Sequence, residues 1–236
     1  GLQSLVVNRV ARLEEMKQTD VSIQPGSNLL LTDDVLEVFS GFENVEMALP
    51  QISAVGKVNF NNSSTDMAVY GVTKDYLVES AIAPVVGRTF ESNEMKETFE
   101  VVEESVEIDS TDLEDTILEV EEETEDDTKL SVSKVTIPAD IKDREAVVNR
   151  SFLKVLNINE TEAVGKTFSV SFIATNKTLL EEQARIESTA IEYTIVGVTP
   201  DDITPLFYVP FIHLKSIGIE NYSQAKVIVD KEENLE

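Results

Sequence analysis

Residues 84–90 read Pro84-Val85-Val86-Gly87-Arg88-Thr89-Phe90 and begin a series of short motifs that decides the fold. Further motifs follow along the chain: Ala146-Val147-Val148-Asn149-Arg150-Ser151-Phe152, Ala163-Val164-Gly165-Lys166-Thr167-Phe168 and Tyr193-Thr194-Ile195-Val196-Gly197-Val198. Glycine has no Cβ, so Gly87 and Gly197 are suited to tight turns or to a close approach of two backbones. Gly165-Lys166 is placed to end a loop that leads from a helix into a strand.

Length and composition bound the architecture. With 236 residues, of which 42% are hydrophobic, the chain is long enough for one large domain or two smaller ones. No apolar run approaches the roughly 18 residues of a membrane-spanning helix, and no signal-peptide pattern stands at the N-terminus. We therefore expect the chain as given to be soluble and to be an excised piece of a longer protein. The absence of cysteine excludes disulfides and thiolate chemistry but does not fix the compartment.

Charge restricts the possible partners. The formal net charge of −26 disfavours nucleic acid and anionic lipid headgroups, because both are bound through clustered lysine and arginine. Cationic peptides and basic proteins are electrostatically suitable partners. Residues 91–127 hold 18 acidic side chains and one lysine, Lys96, and so carry −17 of the total. Strand-like alternation at Val106 and Ile108 and helical spacing within 113–118 predict a partly ordered acidic insertion.

Two helices and one strand are predicted before residue 42. Apolar residues between 2 and 19 fall on one helical face, and Val21 and Ile23 then alternate as in a strand. Thr32 is a suitable N-cap for a second, short helix that ends near Gly41.

From residue 45 onward the pattern is mainly that of strands. A strand at 45–48 precedes Pro50, and a hairpin is predicted from 52–60 and 67–72 around a polar turn at 61–64. Further strands are predicted at 128–137, 145–149, 167–174, 190–198 and 225–229, and helices at 150–157 and 178–187. The chain is therefore predicted to mix α and β structure.

The residues predict no catalytic, cofactor or metal site. Gly165-Lys166-Thr167 matches the end of a phosphate-binding loop, but Glu160 stands where that loop needs a glycine. A hydrolytic triad would have to use His213, which is the sole histidine and is better explained as a structural residue. The aspartates at 109, 112, 115, 126 and 127 offer oxygen ligands for calcium, but their spacing does not match an EF-hand.

The order of the glycine motifs resembles the extracytoplasmic domain of MacB-like ABC transporter permeases. Tyr70-Gly71-Val72 and Tyr208-Val209-Pro210-Phe211 resemble further elements of that family, and residues 2–19 resemble the outward continuation of its first transmembrane helix. The matching positions, interpreted as structural, are Gly71, Gly87, Arg88, Phe90, Gly165, Lys166, Gly197 and Pro210. Arg88 is a candidate to anchor a carboxylate between subdomains. The span 91–144 departs from the family, whose members often carry only a short acidic connector there.

The resemblance implies an α+β fold of two lobes with mixed and antiparallel sheets. Residues 1–54 and 219–236 would form a lobe called Porter in the family. Residues 55–218, including the acidic insertion 91–144, would form the inserted lobe called Sabre. Both chain ends would then return to the face nearest the membrane.

The resemblance also implies a non-catalytic domain of a MacB/FtsX-like permease at the extracytoplasmic face of the cell membrane. ATP would be hydrolysed by a separate ABC ATPase domain or subunit. This domain would then serve export, or mechanotransmission to an extracytoplasmic adaptor or surface protein, in a permease expected to be dimeric. Two alternatives remain open at this point: an acidic module that captures cationic peptides through 91–127, and a hydrolase of cell-surface polymers that uses His213 or a carboxylate pair.

Overall fold

The structure, a computed structural model, describes residues 5–8, 18–23, 30–96, 102–107, 131–176 and 184–229. Strands dominate these residues, and the helices are few and short. The strands are β1 (Leu5–Asn8), β2 (Gln18–Ile23), β3 (Val45–Phe60), β4 (Ser63–Val72), β5 (Val86–Gly87), β6 (Val102–Glu107), β7 (Ser131–Thr136), β8 (Glu145–Asn149), β9 (Thr167–Asn176), β10 (Ala184–Ser188), β11 (Ile191–Thr199), β12 (Leu206–Pro210) and β13 (Gln224–Val229). The helices are α1 (Asp33–Ser40), α2 (Lys74–Glu79), α3 (Arg150–Val155) and α4 (Phe211–Lys215), and a 3-10 turn spans Glu160–Glu162.

The long strand β3 takes part in two different sets of pairings. Its first half pairs with β13 up to Gln51, and β13 continues through β2 to β1, all antiparallel. Its second half, from Ile52 onward, pairs with β4 on one side and with β9 on the other. β3 therefore joins a small antiparallel sheet to a larger mixed one.

The larger sheet closes on itself. From β3 the pairings run through β4, β12, β8, β11 and β9, and β9 returns to β3. We call this closed circuit the ring. Side chains fill its interior, as in small barrels: the rings of Phe152, Phe168 and Phe207 meet edge to face with centroids 5.1–5.6 Å apart. Gly56 makes room for Phe207, since a Cβ at position 56 would lie 2.7 Å from the phenyl group of Phe207.

The hairpin predicted around residues 61–64 is confirmed. Asn61 and Asn62 form its turn with φ of 47° and 64°, the left-handed conformation that two-residue hairpin turns require and that asparagine tolerates. The break expected at Pro50 is absent, because 45–48 and 52–60 are parts of one strand. At Pro50 the strand pairs on one side only, with Ala225, and an edge tolerates the missing amide hydrogen of proline.

The helix predicted over residues 2–19 is wrong where the structure can be compared with it. Leu5–Asn8 is strand β1, in register with Ile23 to Asp20 of β2. The stretch is rich in valine, which favours strands, and the ladder with β2 supplies its backbone hydrogen bonds. Residues 9–17 lie outside the described residues.

The helix predicted over residues 178–187 is also wrong in its second part. Ala184–Ser188 is strand β10, which pairs antiparallel with β9 and parallel with β7. Pairing on both sides, together with the buried Ile186, overrides the local helical pattern. Residues 177–183 lie outside the described residues.

The other predicted elements in the described range are confirmed. They are the strand at 21–23, the helix that begins after Thr32, and the helix predicted at 150–157, which ends at Val155. The strands predicted at 128–137, 145–149, 167–174, 190–198 and 225–229 correspond to β7, β8, β9, β11 and β13, and residues 128–130 lie outside the described residues. Within the acidic insertion, Val106 lies in β6, and β6 and β7 extend the sheet beyond β10. The predicted helical stretch at 113–118 and the aspartates at 109–127 lie outside the described residues. No helix in the described part of the chain is both long and apolar enough to span a membrane.

Candidate functional site

Gly87 and Gly197 bring two backbones together. They are register partners in the short pairing of β5 with β11. The Arg88 amide donates to the Val196 carbonyl at 2.8 Å. A Cβ on Gly87 would lie 2.1 Å from the Val196 oxygen, and a Cβ on Gly197 would lie 2.1 Å from the Arg88 oxygen. Only glycine fits at either position, because no side chain approaches backbone that closely.

Arg88 and Phe90 fix the chain on either side of this crossing. The Arg88 guanidinium donates two hydrogen bonds to Glu145, at 2.9 and 2.5 Å. The same contact raises the pKa of Arg88, first through the hydrogen bonds and then through the charge of Glu145. Phe90 is fully buried in a cluster with Tyr76 and Leu77 of α2. The carboxylate that Arg88 binds belongs to Glu145, the first residue of β8, which directly follows the span 91–144.

The remaining motif residues fall into two places. Gly165 and Lys166 lie beside β11 and bond to its backbone. The Gly165 amide donates to the Ile195 carbonyl at 2.8 Å, and the Ile195 amide donates to the Lys166 carbonyl at 2.9 Å. Gly71 and Pro210 lie together at α4, where a Cβ on Gly71 would meet Leu214 at 2.9 Å and Pro210 immediately precedes the helix. The motif residues thus lie at a backbone crossing, in the loop before β9, at the contact of β4 with α4 and, for Phe90, in a buried cluster, rather than in one common pocket.

His213 is buried, and both of its ring nitrogens are bonded. Nε2 lies 2.7 Å from the carbonyl oxygen of Lys142 and therefore carries the proton that it donates. Nδ1 lies 2.7 Å from the Tyr193 hydroxyl, which donates to it, because burial raises the pKa of Tyr193 and keeps that hydroxyl protonated. Burial lowers the pKa of His213 to about 4, with a smaller contribution from Arg144. The imidazole is neutral, and it holds the loop before β8.

The short helix α4 holds both ends of the span 91–144. His213 donates to the carbonyl oxygen of Lys142, near the end of that span. Lys215 donates to the carbonyl oxygen of Met95, near its start, at 2.9 Å, and to Asp33 of α1 at 2.6 Å. Sequence reasoning missed Lys215. Its only signal is its position in the last turn of a short helix, where a lysine is common for other reasons.

A cleft of about 590 Å³ opens between α1, residues 95–96 and α4. Its apolar floor consists of Leu36, Ala48 and Met95. Its walls carry Thr32, Asp33, Asp34, Glu37, Ser40, Lys96, Lys215 and Glu220. The sequence indicated a helix start at Thr32-Asp33-Asp34 but not a cleft, because the opposite wall comes from residues distant in the chain. The described residues contain no group of three or more histidine, aspartate or glutamate side chains arranged to hold a metal ion.

Comparison with known proteins gives relatives by structure alone. No family model and no curated protein matches the chain. The extracellular domain of the noncanonic ABC-type transporter YknZ from Gram-positive bacteria matches 87% of this chain and 76% of its own, with a TM-score of 0.50 and 15% identity. The periplasmic region of MacB from Actinobacillus actinomycetemcomitans matches 94% of this chain and 79% of its own, with a TM-score of 0.51 and 15% identity. The chain therefore shares the fold of extracytoplasmic domains of ABC-type transporters, as the glycine motifs predicted.

Proposed function

We propose that the chain is a non-catalytic extracytoplasmic domain of a MacB/FtsX-like ABC transporter permease. The observation that carries this proposal is the likeness to the extracellular domain of the ABC-type transporter YknZ over 87% of the chain and to the periplasmic region of MacB over 94%. The bonded, neutral His213 agrees with it, since the sole imidazole of the chain is engaged in holding a loop.

The two-lobed organisation is part of the proposal. Residues 1–54 and 219–236 would form the Porter-like lobe, and 55–218, with the insertion 91–144, the Sabre-like lobe. Support comes from β3, which exchanges β13 for β4 between Gln51 and Ile52. The change of partners lies within a few residues of the proposed boundary.

In the proposed mechanism this domain transmits movement. A separate ABC ATPase hydrolyses ATP, and the membrane-embedded remainder of a dimeric permease passes the movement to the antiparallel strands β1, β2 and β13. β3 carries it into the ring, and the ring acts on a transported substrate or on an extracytoplasmic adaptor or surface protein. The chain itself binds no nucleotide in this scheme.

The location can be tested by labelling, because the given chain contains no cysteine and the unsubstituted full-length protein measures the background. Ile203→Cys, at a side chain that is 91% exposed, should react with a membrane-impermeant maleimide on intact cells that express the full-length protein. Val209→Cys, which is fully buried, is the matched control and should react only after denaturation. Labelling of Ile203→Cys only after cell lysis would overturn the proposal.

The coupling role needs a second experiment on the full-length permease. Replacing residues 30–229 with a short Gly/Ser linker should leave ATP hydrolysis by the ABC ATPase measurable and abolish export or partner activation. Unchanged export or activation in this variant would exclude mechanotransmission while leaving the location intact. The proposal further requires a hydrophobic segment of about 20 residues before residue 2 of the chain and three after residue 236 in the gene.

A further inference from the structure

We propose that the cleft between α1 and α4 binds a lysine or arginine side chain presented by an extended segment of a partner protein. This inference goes beyond the transporter function and does not depend on it. It also differs from capture of cationic peptides by residues 91–127, because that stretch contributes only Met95 and Lys96 to the cleft and none of its carboxylates.

The charges in the cleft are unevenly paired. Asp33 and Lys215 neutralise each other across 2.6 Å. Glu37 and Lys96 are 3.6 Å apart and both largely exposed, so their attraction is weak. The two other carboxylates of the cleft belong to Asp34 and Glu220, and neither takes part in an ion pair among the described residues. An incoming cation would therefore meet two carboxylates that are not neutralised.

The basic residues of the cleft do not favour an anion instead. Lys215 is only 16% exposed at its side chain and already donates to Asp33 and to the carbonyl of Met95. Lys96 faces Glu37 at the outer rim. With four carboxylates and two ammonium groups, the lining has a formal charge of −2, within a chain of −26. Charge complementarity thus selects a cationic occupant.

The floor suits the aliphatic part of such a side chain. Leu36, Ala48 and Met95 line the same cleft as the carboxylates and give it apolar surface. Lysine and arginine bury their methylene stems on apolar surface while the charged end stays among polar groups. The volume of about 590 Å³ lies within the range of small-ligand pockets and admits one such side chain with its neighbouring residues.

Part of the cleft wall is held in place before a ligand arrives. Asp33 accepts from Lys215 at 2.6 Å and from the Tyr222 hydroxyl at 2.7 Å. Lys215 also donates to the Met95 carbonyl. Binding would therefore order mainly the exposed side chains of Asp34 and Glu220.

The test is a titration of the ¹⁵N-labelled chain with the peptide acetyl-Gly-Ser-Arg-Leu-Arg-Ser-Gly-amide in 150 mM NaCl, where diffuse attraction is screened beyond about 8 Å. We expect saturable amide shifts centred on Asp34, Ser40, Lys96 and Glu220. The double variant Asp34→Asn/Glu220→Gln should raise the Kd at least about fivefold. The control Glu79→Gln/Glu192→Gln removes the same charge at two exposed positions and should leave the Kd unchanged.

Two further peptides separate the contribution of the positive charge from that of the side-chain shape. The same peptide with citrulline in place of arginine keeps the shape and removes the charge, and it should bind at least about tenfold more weakly. A peptide with glutamate in place of arginine should not bind.

The proposal fails on any of four results: no saturable shifts, equal losses in both double variants, equal binding of the citrulline peptide, or shifts confined to residues 102–107. All four substituted positions are exposed, and an unchanged amide spectrum without peptide verifies that each variant is folded.

Discussion

A Cβ on Gly87 would lie 2.1 Å from the carbonyl oxygen of Val196, whereas a Cβ on Gly165 would meet nothing within 4 Å. Both glycines have positive φ, 76° and 89°, but only Gly87 has a close neighbour. Comparing substitutions at the two positions therefore distinguishes the cost of backbone strain from the cost of a steric collision. The positions of these glycines in the sequence indicated that close approaches or turns were needed. Which backbone Gly87 meets depends on β5 and β11, whose pairing brings residues 87 and 197 together from distant parts of the chain.

We predict different costs for alanine at these two positions. Gly165→Ala should lose about 1 kcal/mol of unfolding free energy, the cost of a left-handed conformation for a residue with a Cβ. Gly87→Ala carries the same strain and adds a collision with backbone, so it should lose more than about 3 kcal/mol. Urea denaturation of both variants measures the difference. Equal losses would show that β5 can move away from β11 without cost.

His213 should make stability depend on pH. Its folded-state pKa, about 4, lies below the ordinary value of 6.5, so the unfolded chain binds the proton first as pH falls. The stabilisation is complete above pH 6.5 and is lost as pH falls toward 4. At 1.36 kcal/mol per pKa unit it amounts to roughly 3 kcal/mol.

The measurement for His213 is urea denaturation of the wild type and of His213→Gln between pH 7.5 and 4.5. The variant lacks the titrating group, so its stability should fall less steeply over this range. Carboxylates titrate in both proteins and cancel in the difference. Identical slopes of unfolding free energy against pH would mean that protonating His213 costs the folded state nothing despite its bonds to Lys142 and Tyr193.

At the scale of elements, local patterns predicted the structure where one local signal dominates. Thr32 precedes α1 as predicted, but its side chain makes no cap hydrogen bond, and the two asparagines form the predicted turn between β3 and β4. The helices predicted over Leu5–Asn8 and Ala184–Ser188 were wrong, because sequence spacing does not reveal the strands with which these segments pair. The closed ring could not be predicted either, since it depends on the pairing of β3 with β9 across more than a hundred residues.

The pairing of β2 with β13 should depend on one buried ion pair. Lys226 and Asp20 lie 2.7 Å apart with side chains only 7% and 16% exposed. Lys226→Met leaves the Asp20 carboxylate buried without its partner, so we expect a loss of about 3–5 kcal/mol in unfolding free energy. Adding Asp20→Asn should recover part of that loss. Chemical denaturation of the two single variants and the double variant checks this, and strictly additive losses would contradict it.

At the scale of the whole molecule, the net charge of −26 should make stability depend on salt. Self-repulsion disfavours the compact state, and the Debye length shortens from roughly 30 Å at 0.01 M to 10 Å at 0.1 M salt. We expect the thermal midpoint Tm to rise by several degrees between 10 and 300 mM NaCl. Choline chloride at matched ionic strength is the control for specific sodium binding. A Tm that falls, or that rises only with NaCl, would contradict general screening.

The double membership of β3 has a mechanical consequence. Because β13 lies antiparallel along its first half and β4 and β9 along its second, a pull on β13 parallel to the strands is resisted by the whole ladder at once. Such a load shears many hydrogen bonds together instead of opening them one by one from an end. A strand held in this way moves as a stiff rod, so a displacement applied at β13 would reach the ring with little stretching in between.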